Sequence, residues 1–209
     1  MAARGPLKED RGRSILADLL TPIDYDAAAL WAERLIAEFG TLAAVLAAPR
    51  GRLLRLLDES AVAVACIEAN RRAMRFALRD RLEAGPVIAS DRELHDYLWF
   101  TMAHERVETV HCLFLGAAHQ LLRDERLSTG SQSEALIAPR DIIYRALELQ
   151  ATGLILVHNH PSGDPTPSAA DIAATRALVQ AASPLGITVH DHLIIGATGH
   201  ASLRGRRLI

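Results

Sequence analysis

The stretch that most constrains this chain is Gly153–Asp171, GLILVHNHPSGDPTPSAAD. Its opening run is short, continuous and apolar, as a β-strand covered on both faces should be, and so argues for a sheet with helices on either side. The run leads straight into two histidines two residues apart, then into a loop of Pro, Ser, Gly and Asp, which turns favour. The sequence that follows, IAATRALVQAA, reads as a helix that Ser168 or Asp171 opens and that ends near Ala182. Such a unit is either a capped surface turn or a metal site.

For one histidine the surface turn is the better reading, with Ser168 and Asp171 a helix-capping pair. The histidine pair shifts the balance. His158-x-His160 at the carboxyl end of a buried strand can aim both imidazoles to one side. The loop around Pro161 and Gly163 then returns the chain, and Asp171 enters from the first turn of the next helix. Two nitrogens and an oxygen on rigid elements leave a fourth tetrahedral position for water, as catalytic zinc requires. Two other His-x-His sites fit poorly. Metallo-β-lactamase-like sites want an acid two residues past the second histidine, where this chain has Ser162. Amidohydrolase barrels carry the pair on their first strand and need ~200 residues in all, whereas fewer than 50 follow His160.

The chain before this unit divides in two by texture. Residues 1–13 are polar and are expected to be frayed, and almost everything from Ser14 to Leu82 reads as helix. The spacing predicts a helix capped by Asp26 and stopped by Gly40, with Leu30, Leu35, Ile36 and Phe39 at helical intervals. A short helix over Leu42–Ala47, a turn over Arg52–Leu57 and a long helix over Ala61–Leu82 follow. Gly85 and Pro86 punctuate the chain, so a helical domain is expected over 1–86 and an α/β domain over 87–209. The second domain is predicted to hold a helix at Asp91–Ala103 and strands at Val107–Leu115 and Gln120–Leu127, paired through the turn at Gly116. A helix opened by Pro139 runs to Gln150, and a last strand lies in Gly186-ITVHDHLIIG.

Composition adds bounds rather than function. Half the residues are apolar and the net charge is −2, which gives no overall attraction to nucleic acid or anionic lipid. No stretch approaches the ~20 apolar residues of a membrane span, and the N-terminus lacks a signal peptide's apolar core. Cys66 and Cys112, the only cysteines, lie in apolar runs and are expected to be buried thiols, which suits a reducing, cytoplasmic setting.

The pattern His158-x-His160-Pro-x₆-Ser168-x₂-Asp171 resembles the JAMM signature of the JAB/MPN metallopeptidase fold. The longer string from APRDIIYRAL through LGITVHDHLIIG is similar to the RadC-type branch, and the resemblance covers residues 88–209. It implies a mixed sheet flanked by helices, with His158, His160 and Asp171 as zinc ligands. It further implies Glu108 in RVETVHCLFLG as the general base acting on the zinc water, and Ser168 as a stabiliser of the oxyanion. The activity implied is hydrolysis of a peptide or isopeptide amide. The metal acidifies water and polarises the carbonyl, and Glu108 passes the proton to the leaving amine.

The remaining candidates rank below these. His190, Asp191 and His192 could form a second metal cluster; the resemblance instead makes Asp191 or His192 a support behind the ligands. Glu108 is preferred to Glu105 as base because strand alternation sets it in line with Val110, Cys112 and Phe114, while Glu105 lies in the polar run AHER. His111, on the opposite strand face, reads as a hydrogen-bonded core or partner residue. His95, His104, His119 and His200 read as surface, and Trp31 and Trp99 as helix core. The first domain resembles a helix-hairpin-helix module through LIAEFGTLAAVLAAPRGRLL, but its hairpin reads LLDESAVAVACIE, with Asp58 and Glu59 in place of a glycine turn. Acids there repel phosphate, so DNA binding is doubtful. The alternative function is a repair- or recombination-associated accessory without proteolytic action.

Overall fold

The computed structural model describes residues 6–87, 91–129 and 138–209. The chain forms two compact units, 1–76 and 77–209.

The first unit is helical: α1 (Pro6–Leu20), α2 (Ala28–Phe39), α3 (Leu42–Leu46), α4 (Arg50–Leu56) and most of α5 (Ala61–Glu83). Part of the polar start, expected to be frayed, is instead the first half of α1. Leu16 and Leu20 are fully buried and anchor that helix, so its polar residues are carried along. Residues 1–5 lie outside the described residues. Asp26 is not the cap of α2. Asp24 Oδ1 accepts from the N–H groups of Asp26 and Ala27 at 3.1 and 2.9 Å, and this upstream turn occupies the free amides first. Gly40 does end α2, in a left-handed conformation.

Asp58 and Glu59 take the glycine's place in the hairpin, both in left-handed backbone, with φ 49° and 62°. At Asp58 the strain of that geometry is offset by bonds from α2. Asp58 Oδ2 accepts from the indole Nε1 of buried Trp31 at 2.8 Å, and Arg34 reaches both carboxylate oxygens. The Trp31 hydrogen bond, then Arg34, holds the Asp58 carboxyl below its usual range. Cys66, expected to be buried, is half-buried, its thiol 3.8 Å from the Leu19 carbonyl; Cys112 is fully buried, and both thiols are free.

The second unit is a five-stranded mixed sheet between helices. The strands are β1 (Thr109–Leu115), β2 (Leu121–Thr129), β3 (Gly153–Asn159), β4 (Thr188–Gly196) and β5 (Gly199–Ser202), in the order β2-β1-β3-β4-β5. Only β3 and β4 are parallel, joined by the crossover through α8 (Ala169–Ala182). Every residue of β3 is buried. One face of the sheet carries Leu113, Leu115, Ile155, Val157, Leu193 and Ile195 against Leu94, Tyr97, Leu98 and Met102 of α6 (Asp91–Met102). The other carries Cys112, Phe114, Leu154, Leu156 and Val189 against α8 and α7 (Pro139–Glu148). Strand β5 was not read from the sequence; it pairs with β4 across a tight turn, from Leu193 with Ser202 to Gly196 with Gly199.

The register contains one consequential irregularity. Leu154 pairs with Val189 but Ile155 pairs with Asp191, so His190 is an extra, bulged residue. Plain alternation from Val189 would turn Asp191 toward α8. The bulge turns His192 there instead.

Candidate metal centre

The candidate side chains gather where β3 ends, at the carboxyl edge of its parallel pairing with β4. Ligand sites in α/β sheets favour this edge because the loops leave there. His158 is the penultimate residue of β3, buried, and His160 is the first residue beyond the strand, its main-chain N–H held by the Ile195 carbonyl of β4 at 2.9 Å. The spacing of two then aims both imidazoles the same way. Their Nε2 atoms are 2.9 Å apart.

Asp171 arrives from the first turn of α8. Ser168 caps that helix: its Oγ accepts from the Asp171 N–H at 3.1 Å, and the Ser168 N–H donates to Asp171 Oδ2 at 2.8 Å. The hydroxyl of Ser168 also donates to Oδ2, at 2.6 Å. The cap thereby orients the carboxylate, whose Oδ1 lies 3.5 Å from His158 Nε2 and whose Oδ2 lies 3.9 Å from His160 Nε2. Ligand atoms of His158, His160 and Asp171 all fall within 4.8 Å of one another.

The chemistry of this donor set fits a cation. The Asp164 carbonyl, 2.7 Å from His160 Nδ1, can only accept, so His160 carries its proton on Nδ1 and presents a lone pair at Nε2. His158 uses Nδ1 on His192 Nε2 at 2.7 Å, leaving its own Nε2 to face His160 and Asp171. Burial, partly opposed by Asp171 and reinforced by His160, drops the His158 pKa to about 4. Burial, with His158 adding to it, drops that of His192 to about 3, so both rings are neutral at pH 7. For Asp171 burial raises the pKa, but the Ser168 hydrogen bond and His158 outweigh it and the carboxyl sits below its usual range. Two imidazole nitrogens and a carboxylate oxygen are what zinc takes.

Of the pair considered as support, His192 bonds to His158. Asp191 faces the other way, accepting from Ser202 Oγ at 2.5 Å and from the Arg204 N–H at 3.0 Å. His111 is hydrogen-bonded as expected but half-buried, its Nδ1 2.8 Å from Asp124 Oδ1, with Tyr97 on the same carboxylate. His119 and His200 are exposed as expected, but His95 and His104 are half-buried, His95 in ring contact with His200 and His104 with Trp99. Trp99, expected in the core, is 36% exposed. Glu108 is half-buried and immediately precedes β1.

Three contributors went unread in the sequence. Thr175 Oγ1 contacts His192 Nδ1 at 2.6 Å, and its spacing of four from Asp171 on α8 was the available signal. Asn159, between the histidines, accepts from the N–H and the hydroxyl of Thr109 and donates to the carbonyls of Glu105 and Val107. The Gly163 carbonyl accepts from the hydroxyl and the N–H of Thr198, pinning the His160 loop to the β4–β5 turn.

The sequence matches the RadC-like JAB domain over residues 88–208, more than half of the chain. The protein belongs to the RadC-like JAB family. Among the described residues no helix is long and apolar enough to cross a membrane.

Proposed function

We propose that this protein is a zinc-dependent hydrolase of amide bonds, peptide or isopeptide, acting in the reducing cytoplasm. The convergence of His158, His160 and Asp171 at the end of a rigid, fully buried strand carries this reading. Zinc bound there supplies an acidified water and polarises the substrate carbonyl. Glu108 takes the proton from the attacking water and returns it to the leaving nitrogen. Two arguments support Glu108. Val110 pairs with His158, and continuing that antiparallel count by two residues would set Glu108 opposite His160, on its side of the sheet. The four bonds of Asn159 tie down the segment 105–109 that carries it. Ser168, exposed and at the helix mouth, turns its hydroxyl from Asp171 to the developing oxyanion.

The test is metal analysis followed by turnover of a peptide and isopeptide panel. The purified protein is expected to hold about one zinc per chain. Glu108→Gln is expected to keep zinc and lose roughly 10²–10⁴-fold in turnover, with Glu105→Gln nearly silent. Absence of any transition metal in chelator-free preparations defeats the proposal. So does full activity in the Glu108→Gln variant. The alternative, a DNA-associated accessory, is disfavoured because the hairpin presents Asp58 and Glu59 where phosphate would dock.

A further inference from the structure

We infer that Thr175 sets the proton tautomer of His158, through His192, and so is a positioning residue for the metal; this rests on the zinc reading above. Thr175 is fully buried on α8, one turn beyond Asp171. Its Oγ1 lies 2.5 Å from the Asp171 main-chain carbonyl, which can only accept, so the single hydroxyl proton is committed there. The 2.6 Å contact between Thr175 Oγ1 and His192 Nδ1 must therefore run the other way, with His192 Nδ1–H donating. A neutral imidazole protonated at Nδ1 has a lone pair at Nε2. The 2.7 Å contact from His192 Nε2 to His158 Nδ1 is then a bond that His158 donates. His158 is left with its lone pair on Nε2, the atom facing His160 and Asp171.

Helix α8 thus reaches the centre twice, directly through Asp171 and indirectly through two imidazoles. The carbonyl that fixes the relay belongs to Asp171 itself, so ligand and relay move together. Remove the hydroxyl, and His192 Nδ1–H faces a buried methyl. The ring escapes by moving its proton from Nδ1 to Nε2, where it donates to His158 Nδ1. The His158 proton must then pass to Nε2, the position a metal needs. Each ring stays neutral and one proton shifts on each. Metal must reverse both shifts to bind.

The experiment measures zinc affinity by chelator competition, and the tautomer of His158 in metal-free protein by ¹⁵N NMR of the ring nitrogens. It uses the full chain with Thr175→Val and Thr175→Ser. Wild type and Thr175→Ser are expected to show His158 protonated at Nδ1. Thr175→Val is expected to move protons to Nε2 and to weaken zinc about 10–100-fold, the usual effect of losing a residue that holds a ligand. Unchanged tautomer and affinity in Thr175→Val overturn the inference and leave the zinc reading standing. A wild type that binds no zinc fails that reading, while its tautomer spectrum still decides whether the relay exists. If Thr175→Val does not fold, wild-type His158 protonated at Nε2 is sufficient to overturn the inference.

Discussion

Replacing Gly196 by alanine tests how tightly the second unit holds the His160 loop. A Cβ at this position would lie 2.3 Å from the Gly163 carbonyl oxygen and 2.8 Å from its carbon. Ordinary contact needs about 3.5 Å, so the loop must retreat by roughly 1 Å. These are backbone atoms, and no rotamer change relieves the clash. The same oxygen accepts from Thr198 Oγ1 at 2.8 Å and from the Thr198 N–H at 3.3 Å, bonds that the retreat stretches. Overpacking of this kind costs about 1–3 kcal/mol, with about 1 kcal/mol more for a lost hydrogen bond. In a chain of this size that lowers Tm by roughly 4–16 °C. The next residue, Asp164, holds His160 Nδ1 through its carbonyl, so the displacement also misdirects the His160 ring. Zinc affinity is expected to fall about 10–100-fold. Calorimetry of metal-free protein and chelator competition measure the two effects. Gly85→Ala, where an added Cβ meets nothing within 4 Å, is the control. Gly196→Ala with wild-type Tm and zinc affinity would refute the reasoning.

Asp171→Asn and His160→Ala are each expected to release zinc, measured by metal content after dialysis; retention at wild-type stoichiometry contradicts the ligand set. Metal-free stability is expected to fall as pH drops from about 6.5 toward 4. His158 and His192 have folded pKa values of about 4 and 3, below the unfolded value of 6.5, so the unfolded state takes up protons first across that window. The slope reaches about 1.4 kcal/mol per pH unit for each ring, read by denaturant unfolding in chelator, and a flat profile speaks against buried neutral rings. The full chain is expected not to bind duplex DNA at physiological salt, by fluorescence anisotropy; submicromolar affinity with steep salt dependence would revive the accessory reading. Asp58→Ala is expected to lower Tm, because it strips the buried Trp31 indole of its acceptor, and an unchanged melt would show the left-handed turn stands without it.

Much of the architecture was legible because its signals are local. The apolar run of β3, the Pro139 start of α7, the Gly40 stop of α2 and the Ser168–Asp171 cap each depend on residues within a few positions of one another. The two histidines and the aspartate were legible for the same reason, since a strand end and a helix start aim side chains in directions that spacing dictates. Asp26 misled because two nearby carboxylates compete for the same amides, and composition does not say which wins. The start of α1 was missed because Leu16 and Leu20, which anchor the helix, acquire partners only in the folded unit.

The choice between Asp191 and His192 shows where local reading stops. Both lie in one strand, and alternation alone favours Asp191 for the α8 face. A single bulged residue, His190, inverts that assignment and sends His192 to His158. A bulge is a property of pairing between β3 and β4, and no residue of β4 announces it alone. Asn159 and Thr175 are similar: one joins segments fifty residues apart, the other meets an imidazole seventeen residues away. The sequence by itself determined which donors could bind a metal, because that follows from side-chain chemistry and short spacing. Tertiary structure decided which way the buried rings face and what holds them, because register and packing are set by partners distant in the chain.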